Sequence, residues 1–146
     1  MYNILVLNGV NLDFLGTRQP DIYGSWSLKD LEHLLKSSDL SSTINFHFFQ
    51  TNSESDFLEA ISPSYDAIII NPGAWSHTSI AILDRLLGVG VSYVEVHISN
   101  IFAREPFRHH SYISSGALGV ISGLGVDSYL YAARFLKNYL DKKNNS

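Results

Sequence analysis

The sequence contains no cysteine, and this absence limits the chemistry that the protein can use. Disulfides, thiolate metal sites and thiol nucleophiles are excluded, so any catalysis must rely on oxygen and nitrogen groups. A chain without cysteine also fits a reducing compartment, and we expect a cytoplasmic protein.

The sequence also lacks a basic excess and a long apolar run. A net charge of -4 over 146 residues leaves no excess of positive charge to bind a phosphate backbone, so we expect no nucleic-acid partner. No apolar run approaches the roughly 20 residues that span a bilayer, and we expect no membrane partner. With 45% hydrophobic and 16% charged residues, the composition is typical of a folded globular protein.

Short β-rich runs alternate with segments of helical period along the whole chain. Strands are predicted over residues 2–7, 44–49, 67–70, 93–98 and 120–122. Helices are predicted from a cap at Ser27, over residues 53–61, through residues 80–87 and through residues 126–140. The continuous apolar run of residues 2–7 favours the central strand.

This alternation predicts an α/β fold of three layers with a five-stranded parallel sheet in flavodoxin-like order. We expect a single domain over residues 1–146, of which residues 141–146 form a polar tail. No repeat or linker divides the chain.

Polar residues collect where the predicted strands end, which is where open α/β sheets bind ligands. The segments NGVN, NPGAWSH and EVHISN stand at three of these ends. Glu95 and His97 are two apart on a strand and should share a face. The carboxylate would favour a protonated imidazole that acts as an acid, but an ion pair without a catalytic role has the same spacing.

Residues 16–24 form a loop bracketed by glycines directly after the first strand end. Such a loop suits a lid that closes over a substrate. Within it, Arg18 could lower the pKa of the Tyr23 phenol and make it a general base. In the alternative interpretation, Tyr23 packs the loop and Arg18 is solvated.

Three other groups of residues allow more modest interpretations. Ser76 and Thr78 fit helix capping and ligand contact equally. The pair His109 and His110 has no third ligand at a suitable spacing, so we expect no metal. The segment GLG at residues 123–125 is too short for a dinucleotide fingerprint and fits a helix entry.

Taken together, five blocks resemble the type II 3-dehydroquinate dehydratase family over nearly the whole chain. The blocks are ILVLNGVNLDFLGTRQPDIYG, FFQTNSE, IIINPGAWSHTSIAILD, VEVHISNIFAREPFRHHSYIS and GVISGLG. The resemblance implies dehydration of 3-dehydroquinate to 3-dehydroshikimate through an enolate, without a cofactor, in the shikimate pathway. The same reaction serves catabolism of quinate, and the residues do not separate the two roles.

The resemblance also implies a role for each site residue. In the catalytic group, Tyr23 is the base, Arg18 its activator, His97 the acid, Asn11 the holder of a water at the enolate oxygen, and Glu95 the residue that orients His97. In the substrate-binding group, Asn71, His77 and Arg108 grip ring hydroxyls, Ile98 and Ser99 bind the carboxylate, and Asp84 reaches the site of a neighbouring subunit. A homo-oligomer is therefore expected, a dodecamer built from trimers.

The chain departs from the family pattern at three positions. Val10 and Asp13 stand where proline and asparagine are usual, and Trp75 replaces a tyrosine or phenylalanine. These changes remove no proposed catalytic group, although they permit a degenerate family member. A flavin-binding module of the same fold is the other alternative, but bulky Leu12, Phe14 and Leu15 replace the small residues of its phosphate loop.

Overall fold

The structure is a computed structural model that describes residues 1–17, 19, 21 and 25–145. The strands are β1 (Tyr2–Asn8), β2 (Ile44–Gln50), β3 (Ala67–Asn71), β4 (Ser92–His97) and β5 (Gly119–Ser122). Within the described residues, the α-helices are α1 (Leu28–Lys36), α2 (Glu54–Ala60), α3 (Ile80–Val89) and α4 (Asp127–Asn144). These elements confirm the predicted alternation, with shifts of one residue at most strand ends.

The five strands form one parallel sheet in the order β2-β1-β3-β4-β5. This is the doubly wound, flavodoxin-like order, and the predicted fold class is confirmed. The prediction that the first strand is central was wrong, because β3 occupies the middle and β1 lies beside it. Both are buried on two faces, so an apolar run marks an interior strand without giving its place in the order.

Helices cover both faces of the sheet and divide the core in two. On the α1/α4 face, Ile4 and Val6 of β1 pack in one cluster with Leu31 and Leu35 of α1 and with Leu136 of α4. On the α2/α3 face, Leu5 and Leu7 pack in a second cluster with residues of α2 and α3. Alternation along each strand thus sends successive side chains to opposite cores.

The ends of α1 and α4 show how local sequence sets helix boundaries. A capping box starts α1, in which the Ser27 hydroxyl accepts from the Asp30 N–H and the Asp30 carboxylate accepts from the Ser27 N–H. At the other end of the chain, the predicted polar tail is helical as far as Asn144. There the Asp141 carboxylate accepts hydrogen bonds from Tyr2 and Lys137, which hold the last turns of α4 in place. Among the described residues, no helix has the length and apolar character needed to cross a bilayer.

Two glycines allow the loops after β1 and β3 to pack backbone against backbone. A Cβ atom on Gly9 would lie 2.3 Å from the Pro72 carbonyl oxygen, and one on Gly73 would lie 2.7 Å from the Val10 carbonyl oxygen. Gly73 also has a φ of 63°, which favours glycine. The close approach brings the two strand ends together beneath one pocket.

Candidate active site

A pocket of about 150 Å³ opens at the carboxyl edge of the sheet. A volume of this order holds a small ring compound in other proteins. Of the nine predicted site residues that the structure describes, seven line the pocket: Asn11, Asn71, His77, His97, Ile98, Ser99 and Arg108. The carboxyl ends of β1, β3 and β4 therefore meet at one cavity, as expected for this fold.

Glu95 lies directly behind His97 on the α2/α3 face of the sheet. The two side chains share a face as predicted, and His97 Nε2 bonds Glu95 Oε2. Glu95 is fully buried, and its other oxygen accepts a hydrogen bond of 2.5 Å from the Ser114 hydroxyl. A buried carboxylate needs such partners, because an unpaired charge in the core is costly.

The electrostatics of this group favour an ionised Glu95. Burial raises the pKa of the Glu95 carboxyl, but hydrogen bonds from His97 and Ser114 outweigh burial and hold the pKa below its ordinary value. An ionised carboxylate at Nε2 leaves Nδ1 as the other proton-bearing position of the His97 ring. His97 Nε2 therefore bonds the Glu95 carboxylate, and Nδ1 is the ring nitrogen left to exchange a proton with a ligand.

His77 stacks on His97 but has a different electrostatic character. The ring centroids are 6.5 Å apart, with planes inclined by 15°. Burial lowers the pKa of His77, and the nearby charges of His97 and Arg108 also lower it, against the opposing hydrogen bond to the His110 carbonyl. Nδ1 of His77 donates to that carbonyl over 2.8 Å. A neutral His77 thus keeps Nε2 as a hydrogen-bond acceptor.

Asn71 ends β3 on the α1/α4 face and takes part in a neutral network. Its Nδ2 donates to the Tyr129 hydroxyl over 2.9 Å, and its Oδ1 accepts from the Gly73 N–H over 3.1 Å. The Tyr129 hydroxyl in turn donates to Asn8 Oδ1 over 2.5 Å. The predicted ligand-binding amide is thereby tied to the ends of two strands and to α4.

Asn11 stands at the rim of the pocket in a left-handed conformation. Its φ of 66° is unusual outside glycine, although asparagine tolerates it best. The Asn11 backbone N–H donates to Asn52 Oδ1 over 2.9 Å, and Asn52 also accepts from Gln50. Residues just after β2 therefore fix the backbone that carries Asn11.

Two arginines supply positive charge to the pocket. Arg108 lies in the pocket wall and forms a 2.6 Å ion pair with Glu105, while Arg104 bonds the Ser99 hydroxyl over 3.3 Å. Arg104 was not among the predicted site residues, although its spacing of four from Arg108 was visible in the sequence. This cationic wall suits an anionic small molecule.

Two of the predicted site residues that the structure describes, Glu95 and Asp84, do not line the pocket, and Glu95 instead lies behind His97. Asp84 lies on the exposed side of α3 and does not line the pocket of its own chain. Arg18 and Tyr23 lie outside the described residues, so their predicted pairing remains a prediction. The assignment of the remaining catalytic and binding roles also remains a prediction, since the geometry gives positions only.

Sequence reasoning missed the buried partners of the site. Ser114 lies 19 residues after Glu95, and Tyr129 lies 58 residues after Asn71. No recognisable motif contains Tyr129 and would point to its contact. Tyr129 lies within the helix that is predicted through residues 126–140, whose periodicity indicates a buried stripe but no polar contact. A tyrosine among leucines and alanines on a buried stripe is nevertheless a usable signal, because its hydroxyl needs a partner in the core.

Comparisons with known proteins agree over nearly the full chain. The family described as dehydroquinase class II matches residues 2–137. The 3-dehydroquinate dehydratase of Photorhabdus laumondii is 48% identical, with 98% of this chain and 97% of that protein covered. The 3-dehydroquinate dehydratase of Alkalilimnicola ehrlichii is 50% identical, with 97% and 95% covered.

Two crystal structures show the same architecture. The type II dehydroquinase of Propionibacterium acnes superposes with a TM-score of 0.87 at 43% identity, covering 93% of this chain and 96% of that one. The type II dehydroquinase of Butyrivibrio crossotus gives a TM-score of 0.89 at 38% identity, covering 93% and 97%. Sequence and structure therefore point to the same group of enzymes.

Proposed function

The chain belongs to the class II dehydroquinase family, and from that premise we propose that it dehydrates 3-dehydroquinate to 3-dehydroshikimate in the shikimate pathway. The observation that carries the proposal is the pocket in which His97, backed by buried Glu95, faces the same cavity as Asn71, His77 and Arg108. Such a cavity combines a proton donor, hydroxyl-binding groups and a positive charge.

The proposed reaction begins with Tyr23 as tyrosinate, which removes a proton from the carbon beside the ketone. The electrons of that C–H bond move to the ketone oxygen and form an enolate, which Asn11 stabilises through a bound water. Arg18 stabilises the phenolate and the developing negative charge. This part of the proposal rests on the family resemblance of the NGVN segment and the loop that follows it.

His97 completes the proposed reaction as the general acid. The enolate electrons return to form the carbon–carbon double bond as the C1–oxygen bond breaks, and the departing hydroxyl takes a proton from His97 and leaves as water. Tyr23 has then gained one proton and His97 has lost one, so the enzyme resets by a net transfer between them. Glu95 supports this role because its ionised carboxylate stabilises the imidazolium before the transfer.

Substrate binding in this proposal follows the polarity of the pocket wall. The neutral His77 accepts from a ring hydroxyl at Nε2, and Asn71 meets another hydroxyl with its amide. Ile98 and Ser99 hold the carboxylate at the end of β4, and Arg108 adds charge complementarity. Asn71, Ile98 and Ser99 lie on or directly after strand ends, whereas His77 and Arg108 lie in the loops that follow β3 and β4.

A direct assay tests the proposed function. Purified protein should convert 3-dehydroquinate to a product with the ultraviolet absorbance of a conjugated enone, without added metal or cofactor. Tyr23→Phe should lower kcat by about 10²- to 10⁴-fold, because the phenol oxygen is the proposed base. Tyr131→Phe on the exposed side of α4 is the matched control and should keep wild-type activity. No enone from the wild-type protein would refute the proposal.

We also propose that the protein works in the cytoplasm as a homo-oligomer, a dodecamer built from four trimers, in which Asp84 reaches the site of a neighbouring subunit. Support comes from α3, which exposes Ile80 and Leu87 together with Asp84 instead of burying them in its own chain. Light scattering after gel filtration should give twelve times 16.3 kDa, about 196 kDa. A monomer of full activity would contradict the assembly and the role of Asp84.

A further inference from the structure

Tyr129 lies in the first turn of α4, beneath the pocket, and has no solvent-exposed surface. Its hydroxyl touches the last residues of two neighbouring strands, at 2.5 Å from Asn8 Oδ1 and 2.9 Å from Asn71 Nδ2. Asn8 and Asn71 are register partners in the β1–β3 pair. One buried hydroxyl therefore joins both strand ends to α4.

The polarity of this network is determined by the single hydrogen of a phenol. Tyr129 donates that hydrogen to Asn8 Oδ1, so its oxygen can only accept from Asn71 Nδ2. On the other side of the amide, the Gly73 N–H donates to Asn71 Oδ1. A flipped Asn71 amide would place two acceptors against each other at Tyr129 and two donors against each other at Gly73.

The protonation state of Tyr129 keeps this polarity constant. Complete burial raises the pKa of the Tyr129 hydroxyl far above neutrality, and the bond from Asn71 offsets only part of that effect. The hydrogen is thus present throughout the working range of pH. Asn71 retains one N–H and one oxygen lone pair for a ligand, and these two groups have a fixed arrangement at the pocket wall.

We propose that Tyr129 is a positioning residue that sets the orientation of the Asn71 amide for substrate recognition. The proposal rests on the proposed function, because it takes the ligand of Asn71 to be a hydroxyl of 3-dehydroquinate. A ring hydroxyl can donate to the Asn71 oxygen or accept from its N–H, and a fixed amide decides which of these bonds forms and avoids the cost of ordering the amide on binding. The neutral network then contributes to substrate binding without taking part in proton transfer.

A purely structural role for Tyr129 predicts a different outcome, and the chain offers a matched control. The Tyr2 hydroxyl donates to Asp141 Oδ1 over 2.6 Å and ties the first residues of β1 to the last turns of α4. Tyr2 and Tyr129 thus join the same strand and helix at opposite ends. Only the bond of Tyr129 reaches a residue of the pocket.

The experiment compares Tyr129→Phe with Tyr2→Phe in steady-state assays with 3-dehydroquinate, after thermal unfolding shows that both variants fold. Phenylalanine keeps the ring and removes only the hydroxyl. Tyr129→Phe should raise KM by about tenfold with kcat within about twofold of wild type, because the lost interaction serves ground state and transition state alike. Tyr2→Phe should leave both constants unchanged.

A double variant tests whether Tyr129 acts through Asn71. If so, Tyr129→Phe added to Asn71→Ala should leave KM within about twofold of that of Asn71→Ala alone, since coupled residues are not additive. If the increase in KM of the double variant equalled the product of the increases of the two single variants, the proposal would be overturned. A wild-type KM in active Tyr129→Phe would overturn it as well.

A second readout separates failure of this proposal from failure of the proposed function. The side-chain amide of Asn71 can be followed by NMR in deuterated protein labelled with ¹⁵N-asparagine, with Asn71→Ala for assignment. Tyr129→Phe should shift the two amide protons and speed their exchange with water. If wild-type protein does not convert 3-dehydroquinate, the proposed function is refuted, and the NMR spectrum alone then tests the positioning role of Tyr129. Unchanged Asn71 signals would then overturn the positioning role.

Discussion

Two buried hydrogen-bond networks support the pocket from opposite faces of the sheet, and only one of them carries charge. On the α2/α3 face, Ser114, Glu95 and His97 form a network around an ionised carboxylate. On the α1/α4 face, Asn8, Tyr129 and Asn71 form a network of neutral groups. Both end at side chains that line the same cavity.

The contrast indicates that the two networks have different roles at the site. A group that donates a proton must titrate, and its partner must tolerate the change of charge, which an ionised carboxylate does. A group that recognises hydroxyls must keep its donors and acceptors in one arrangement at every working pH, which neutral amides and a buried phenol do. We therefore expect the charged network to govern kcat and pH dependence and the neutral network to govern KM.

The largest expected effect comes from removing the proposed acid. His97→Asn should lower kcat by about 10²- to 10⁴-fold, because no proton donor faces the departing hydroxyl. It should also destabilise the fold by about 1–3 kcal/mol, since the buried Glu95 carboxylate loses the hydrogen bond from His97. Steady-state kinetics and chemical denaturation measure the two effects. His33→Asn, on the exposed surface of α1, is the control and should change neither quantity. If His97→Asn kept most of the wild-type kcat, His97 would not be the proton donor.

An intermediate effect should appear in the pH dependence of stability. The folded-state pKa of Glu95 lies below its ordinary value of 4.5, so its carboxylate stabilises the fold above that pH. The stabilisation is lost as the pH falls through the folded-state pKa. Glu95→Gln should therefore cost about 1–3 kcal/mol at pH 7 and progressively less below pH 4.5.

The neutral network provides the comparison for that measurement. Tyr129→Phe removes a hydroxyl that does not titrate in this range, so its cost in unfolding free energy should be the same at both ends of the titration. Urea denaturation of both variants at several pH values across the acid range gives the free energy of unfolding of each as a function of pH. If the cost in unfolding free energy depended on pH in the same way for Glu95→Gln and Tyr129→Phe, the distinction between a charged and a neutral network would be refuted.

The smallest expected effect comes from Ser114. Ser114→Ala removes the hydrogen bond to Glu95 Oε1 but leaves the bond to His97, so the Glu95 pKa should rise. We expect kcat to fall by about three- to tenfold, the range for one hydrogen bond to a charged group acting indirectly. Ser41→Ala, whose hydroxyl bonds the Ser38 carbonyl in a turn, is the control. An equal loss in both variants would contradict a specific role for Ser114.

The limits of sequence reasoning differ between the two networks. Glu95 and His97 were expected to lie together because strand periodicity relates residues two apart, and their contact confirms that expectation. The Asn71 amide bonds Tyr129 of α4, which in turn bonds Asn8 at the end of β1, and no local pattern relates positions separated by 58 or 63 residues. The apolar run of β1 likewise indicated burial but not position in the sheet, since all interior strands are covered on both faces.

By itself, the sequence determined the alternation of strands and helices, the fold class and the polar strand ends, because these depend on periodicity and on residue types close together in the chain. Only the tertiary structure decided which face each network occupies, that Ser114 completes the environment of Glu95, and that Tyr129 joins Asn8 to Asn71. Those contacts arise when the crossovers bring α4 and distant loops against the sheet, and their geometry depends on packing that no short segment specifies.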